Sequence, residues 1–337
     1  PPPPPLHAED GIRDPDHSLV GSEMCIRDRY QRIRNKDRVD QMYFKQLLEE
    51  RVVSQSEYDD IEKNYIEKLN IGKPVCTEIA RRSRSKYVVD YKPFNGIHWT
   101  QQAETAITND IIQQLGETLT SVPKDFSVHK NVQKIIDQRK RMAIGSLPVD
   151  WGFAEMLAYG SLLEQGYPVR LSGQDSVRGT FSHRHCAFLD QNTGDVYIPL
   201  RNIFKGQPQF LPINSLLSEA AVLGYEVGYA TSEPNSLVIW EAQFGDFANN
   251  AQVIIDQFLS SSEAKWQRYC GLVLFLPHGY DGQGPEHTSA RMERYLQLCA
   301  EENMQVCIPT TPAQHFHLLR RQMLRPYRKP LIVFTPK

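Results

Sequence analysis

From Leu147 to Lys337 the sequence alternates between two hydrophobic periods, and that alternation restricts the fold more than any other feature. Short apolar runs (PVRLSG at 168–173, DVYIPL at 195–200, SLVIWEA at 236–242, GLVLFLP at 271–277, MQVCIP at 304–309, PLIVFTP at 330–336) read as strands. Between them lie helical patterns at 150–165, 218–230, 248–262, 288–301 and 311–324. Strands this rich in Val, Ile and Leu must be covered on both faces, which a parallel sheet between two helical layers provides. Right-handed crossovers then predict a doubly wound, mostly parallel α/β domain. Ligands of such sheets bind at the carboxyl ends of strands, where the strand order reverses.

Ahead of this domain the pattern is helical. VDQMYFKQLLEERV, 39–52, sets Val39, Met42, Tyr43, Leu47 and Leu48 near one face and charge on the other. SQSE, 54–57, is a capping box that opens a second, charged helix toward Leu69. Residues 72–100 read as irregular connection, and 107–144 as two helices split by VPKDF. Residues 1–29 have no period and lack the order of a signal peptide. They resemble translated sequencing-adapter read-through and are set aside, Cys25 with them. The expected organisation is a non-native or disordered tail (1–29), a helical linker region (30–144) and the α/β domain (145–337), cut from a longer chain.

Composition excludes some classes of function. With 38 basic against 40 acidic side chains, no global field draws in nucleic acid or an anionic membrane. The longest apolar runs are too short to span a bilayer. The 6 cysteines, at 25, 76, 186, 270, 299 and 307, form no CxxC pair. They read as reduced, buried thiols of a soluble intracellular protein.

Several segments could carry chemistry. In LPHGYDGQGPEHTS a strand runs into a glycine-broken loop holding His278 and His287. The glycines at 279, 282 and 284 fit neither a dinucleotide fingerprint nor a phosphate loop, and the two histidines lack the further ligands zinc needs. A polar pocket loop and turn-capping histidines both remain open. In SLLSEAAVLGYEVGYA, Ser218 fits an N-cap and Glu219 the first helical turn, where a carboxylate complements the helix dipole. A shielded carboxyl sharing a proton with a ligand nitrogen is the functional alternative. In VIWEAQFGDFANNAQ, Gln243, Phe244 and Phe247 follow a strand directly and fit either the core or a flat aromatic ligand. RLSGQDSVRGTFSHRH, 170–185, reads as a solvated or subunit-facing loop with anion binding second, and RRQMLRPYRK, 320–329, as a basic helix end facing water.

Taken in order and spacing, these segments, with GSLPVDWGFAEMLAYGSLL and TPAQHFHLLRRQMLRPYRKPLIVFTPK, resemble the 2-oxoglutarate dehydrogenase family, its decarboxylating, thiamine-diphosphate-dependent component. The similarity is close over 145–337 and weaker over 30–144. It implies a transketolase-like pyrimidine-binding domain for 145–337, with 30–144 as the end of the diphosphate-binding half plus linker. By the same resemblance, Glu219 hydrogen-bonds the aminopyrimidine and favours its imino tautomer. Phe244 stacks on the pyrimidine and Phe247 packs beside it. Gln243 and His287 line the reacting centre, and His278 shapes the loop at its edge. Ala220 stands where the family often has a second glutamate, and Asn250 where a glycine is common.

The resemblance also sets expectations about partners. The sequence contains no Gly-Asp-Gly followed by a downstream Asn, so the Mg2+ that accompanies the diphosphate is expected to find its ligands in an N-terminal half outside this stretch. Weak cofactor binding and no turnover are expected of this stretch in isolation. The implied assembly is a homodimer working with the dihydrolipoyl succinyltransferase and dihydrolipoyl dehydrogenase components, in a bacterial cytoplasm or a mitochondrial matrix. 2-Oxoadipate dehydrogenase is the sister reading. A non-catalytic assembly module of the same fold and a nicotinamide-binding enzyme are readings from other classes.

Overall fold

The structure, a computed structural model, describes residues 35–75, 88–280 and 284–337. The expected tail at 1–29, Cys25, Cys76 and Gly282 lie outside the described residues. The chain divides after residue 84 into two compact units.

In the first unit, helix α1 (Val39–Glu49) is followed by α2 (Gln55–Asn70). Ser54 and Glu57 form the capping box in both directions. The Phe44 and Tyr58 rings stack with centroids 3.9 Å apart. Neither helix buries a residue, so the apolar stripe of Val39, Met42, Tyr43 and Leu48 is exposed.

The second unit is built on a six-stranded sheet. Its strands are β1 (Val169–Gly173), β4 (Phe210–Asn214), β5 (Leu237–Glu241), β6 (Val273–Pro277), β7 (Gln305–Cys307) and β8 (Leu331–Thr335), in the order β4-β1-β5-β6-β8-β7. Every pairing in it is parallel. From β1 the chain leaves first to β4 on one side and then to β5 on the other, which puts the reversal of order at β1.

Alternate residues of each strand feed two separate cores. Leu237, Ile239, Val273, Phe275, Leu331 and Val333 join the core on one face, and Val238, Trp240, Leu274, Leu276, Ile332 and Phe334 the core on the other. The first face is covered by α3 (Asn109–Thr120), α4 (Lys130–Ala143), α5 (Trp151–Glu164) and the helix Pro312–Leu324. The second is covered by α6 (Glu219–Ser232) and the helical segments from 245 onward. Helix α5 is buried from Gly152 through Leu163, as a sequence that is apolar on every side but for Glu155 and Ser161 requires. The Asp150 carboxylate starts it by accepting the Phe153 N–H at 2.7 Å. Leu115, Leu119, Met142 and Ala143 pack into this core, so the helices read at 107–144 share it with the α/β domain.

Four expectations are corrected. DVYIPL is not a strand of the main sheet. Only Val196–Tyr197 (β3) pairs, antiparallel, with Phe188–Leu189 (β2), while Pro199–Arg201 forms a short 3-10 turn. The sheet takes β4 instead, whose internal Pro212 is tolerated because β4 is an edge strand. The helix expected at 248–262 is a succession of 3-10 (Gly245–Ala251), α (Gln252–Ile254) and π (Ile255–Leu259) turns. The basic run at 320–329 does not face water. Arg320, Arg325 and Arg328 are buried and donate to the carbonyls of Thr105, Trp99 and Pro234. Among the cysteines, 186 and 270 are buried as expected, but Cys299 is exposed.

Candidate active site

Four loops leave the carboxyl ends of β1, β4, β5 and β6, and each delivers candidate side chains to that edge. Gln174 and Asp175 follow β1, Glu219 follows β4, Gln243 to Phe247 follow β5, and His278 and His287 follow β6. Two glycines let these loop origins approach each other. A Cβ on Gly173 would lie 2.3 Å from the Glu241 carbonyl oxygen, and one on Gly245 would lie 2.6 Å from that of Pro277.

Phe244, Phe247 and His287 form one cluster. The His287 imidazole lies 4.7 Å from the Phe244 centroid at 26° and 4.8 Å from that of Phe247 at 64°. The two Phe rings meet edge-on, and Phe181 packs edge-on against Phe244. His287 Nδ1 sits 2.9 Å from Asp246 Oδ2, and the His287 N–H donates to the Gly284 carbonyl at 2.9 Å. Gly284 has φ +80°, a conformation that glycine adopts without strain.

Glu219 and Gln243 are tied in through adjacent residues of the β1 loop. Gln174 Nε2 approaches Glu219 Oε1, and Gln243 Nε2 approaches Asp175 Oδ2, each at 3.4 Å. Asn250 Nδ2 approaches the other Glu219 oxygen, also at 3.4 Å. These are long for N–H···O contacts, whose usual length is about 2.9–3.0 Å. The half-buried Glu219 carboxylate therefore keeps acceptor capacity toward a closer donor. Ser218 occupies the N-cap position of α6 with extended backbone but makes no side-chain capping bond. His278 is used differently. Its Nδ1 accepts the Ala290 N–H at 3.0 Å and its own N–H donates to Thr335 O at 2.9 Å, which fixes the loop to the end of β8.

The 170–185 segment departs from the solvated loop expected of it. Arg184 is fully buried and binds two carboxylates. Its Nε and Nη2 donate to Glu155 at 2.5 and 3.2 Å, and its Nη1 and Nη2 donate to Glu241 at 2.6 and 2.7 Å. Burial disfavours ionised Glu155, yet the Arg184 charge and the bonds from His315 and Arg184 hold its carboxyl well below the usual range. Burial, and then the Arg184 charge, push the His183 imidazole down. Sequence spacing gave no sign of this clamp, because Glu155, Arg184 and Glu241 come from a helix, a loop and a strand. Beside it lies a cavity of about 210 Å3 walled by Trp151, Phe181, His183, Glu241 and His315, reaching the Phe244 cluster through Phe181.

Sequence reasoning also missed Asp246, Gln174 and the contact of Asp175 with Gln243. Asp246 lies between two aromatics that were singled out, but a carboxylate after a glycine reads as turn chemistry. Among the described residues no group of three or more His, Cys, Asp or Glu side chains is arranged to hold a metal, and no helix is long and apolar enough to cross a membrane.

Residues 148–337 match the family described as transketolase, pyrimidine binding domain. The chain is 51% identical over 308 residues to the 2-oxoglutarate dehydrogenase E1 component of Azotobacter vinelandii, covering 91% of this chain and 33% of that protein. It is 53% identical over 296 residues to the protein of the same name in Coxiella burnetii, covering 88% and 32%. For that of Cupriavidus necator the figures are 49% over 313 residues, 91% and 33%. The chain thus spans about a third of the length of the curated relatives it matches.

Proposed function

The chain belongs to the transketolase pyrimidine-binding domain family, and on that premise we propose that it forms the pyrimidine half of a thiamine diphosphate site that decarboxylates 2-oxoglutarate. The observation that carries this reading is the shared edge of the sheet. One loop edge holds an under-satisfied carboxylate, Glu219, tied through Gln174–Asp175 to Gln243, next to the Phe244–Phe247–His287 cluster. The donor set fits the cofactor's aminopyrimidine, which needs a carboxylate against a ring nitrogen and apolar faces around a flat ring.

When bound, thiamine diphosphate supplies the carbon nucleophile and the electron sink for loss of carbon dioxide. The protein's own part is proton control and geometry. Glu219 holds the proton that it shares with the pyrimidine nitrogen, and Phe244 and Phe247 fix the plane of that ring. Gln243 and His287 orient the 2-oxo acid, Gln243 donating as negative charge develops on its oxygen and His287 donating once its Nε2 has taken up a proton. The diphosphate and its Mg2+ are held by residues outside this segment, across a homodimeric crevice. The succinyl group then passes to the lipoyl arm of the succinyltransferase component, opening its disulfide. Once that component has transferred the group to an acceptor thiol, the dihydrolipoyl dehydrogenase component reoxidises the arm.

The test exchanges this segment for the matching third of the Azotobacter vinelandii relative. Decarboxylation of 2-oxoglutarate is then followed with an artificial electron acceptor. The exchanged enzyme is expected to turn over, and its Glu219→Gln variant to lose at least about 100-fold in kcat with an unchanged circular dichroism spectrum. A folded exchange protein without activity would identify a non-catalytic assembly module instead, and a Gln variant that keeps full activity would remove Glu219 from the proposed proton control.

A further inference from the structure

We propose that Asp246 is a positioning residue that keeps the His287 proton on Nδ1 and so leaves Nε2 as the nitrogen that serves the reacting centre. This deepens the reading above and rests on it. Asp246 is 8% exposed, and its Oδ2 lies 2.9 Å from His287 Nδ1. Its other oxygen, Oδ1, is buried without a hydrogen-bond partner among the described residues. An ionised carboxylate only accepts hydrogen bonds, so the 2.9 Å contact is attractive when Nδ1 carries hydrogen. Among the described residues the imidazole is the one side chain that offsets the desolvation of that carboxylate, and this ties its tautomer to the fold.

Two further constraints fix the ring itself. Phe244 stacks on the imidazole and Phe247 meets it at 64°, so rotation that would swap the nitrogens runs into aromatic carbon. The backbone is held by the turn to Gly284. Among the described residues Nε2 has no such buried partner. The group facing it is Glu286 Oε1 at 3.5 Å, on a side chain 67% exposed. Among the described residues Lys337 also lies near the cluster, its Nζ 5.4 Å from the Phe244 centroid. Nε2 is therefore the nitrogen free to take up a proton and return it. The arrangement is a carboxylate–imidazole pair in which the acid orients and does not react.

The decisive measurement needs neither cofactor nor turnover. The 337-residue chain is labelled with 15N-histidine, and His287 is assigned by the signal missing from His287→Gln. Nitrogen shifts are read at mildly alkaline pH, where an ordinary imidazole is neutral. The expected result is a protonated Nδ1 and an unprotonated Nε2, with the proton moving to Nε2 in Asp246→Asn. Protonation at Nε2 in the wild-type chain, or an Asn variant with an unchanged His287 pattern, would overturn the proposal. Because the wild-type tautomer is itself decisive, a variant that fails to fold does not rescue it. In the Azotobacter exchange enzyme, Asp246→Asn should lower kcat at least about tenfold with KM nearly unchanged. If that enzyme is inactive with Asp246 intact while the tautomer is as expected, the functional reading fails and the positioning role stands.

Discussion

Glu219, Phe244, Phe247, Gln243 and His287 were visible as residue types, because each follows a strand end or opens a helix, and such positions are readable from period alone. Their partners were not visible. Asn250, which departs from the family's usual glycine, places its amide 3.4 Å from Glu219, and Asp246 holds His287; both contacts span residues far apart in sequence. Close backbone approach was equally hidden. A Cβ at Gly245 would lie 2.3 Å from Ala290 Cβ and 2.6 Å from the Pro277 oxygen, two atoms with little room to yield. Gly245→Ala is therefore expected to destabilise the unit by about 1–3 kcal/mol. A lowered urea midpoint at constant slope would show it, and an unchanged midpoint would mean that the β5 and β6 loops have room the geometry denies.

At the scale of elements, the strands of the main sheet other than β4 follow from their apolar periods, while DVYIPL and the expected 248–262 helix do not form as their periods suggest. β4 was hidden because a strand with an internal proline is acceptable only at an edge and edges are assigned by packing. The charged runs were misread for a related reason. Arginine is normally a surface residue, and only the fold supplies the carboxylates and carbonyls that allow Arg184, Arg320 and Arg328 to be buried. Arg184 joins the α5 helix, the β1 loop and the end of β5, so removing it strands two buried carboxylates. Arg184→Met should cost about 3–5 kcal/mol or prevent folding, as breaking a buried pair from one side does. Chemical denaturation measures it, and a loss under about 1 kcal/mol would show the carboxylates to be hydrated or protonated.

At the scale of the molecule, Leu115 is fully buried in the core that α3 shares with α5. Leu115→Ala should lower stability by about 2–5 kcal/mol, and the transition of the 88–337 unit should remain single. The same core carries a pH dependence. Glu155 is held below its ordinary value of 4.5, so its contribution is complete above that pH and is lost as pH falls below it. His183 is depressed from 6.5, so below that value the unfolded chain binds a proton that the folded imidazole resists, and stability falls as pH drops. Urea midpoints should therefore decline from about pH 6.5 downward and more steeply below about 4.5, with a shallower acid limb in Glu155→Gln. A flat profile would remove the buried cluster from the account. What the sequence determined by itself was the parallel, two-sided sheet and the edge at which chemistry gathers, because both depend on local period and on chain handedness. What only the tertiary structure decided was which charges are paired, which strand closes the sheet and which carboxylate faces His287. Those depend on distances between segments that no local pattern encodes.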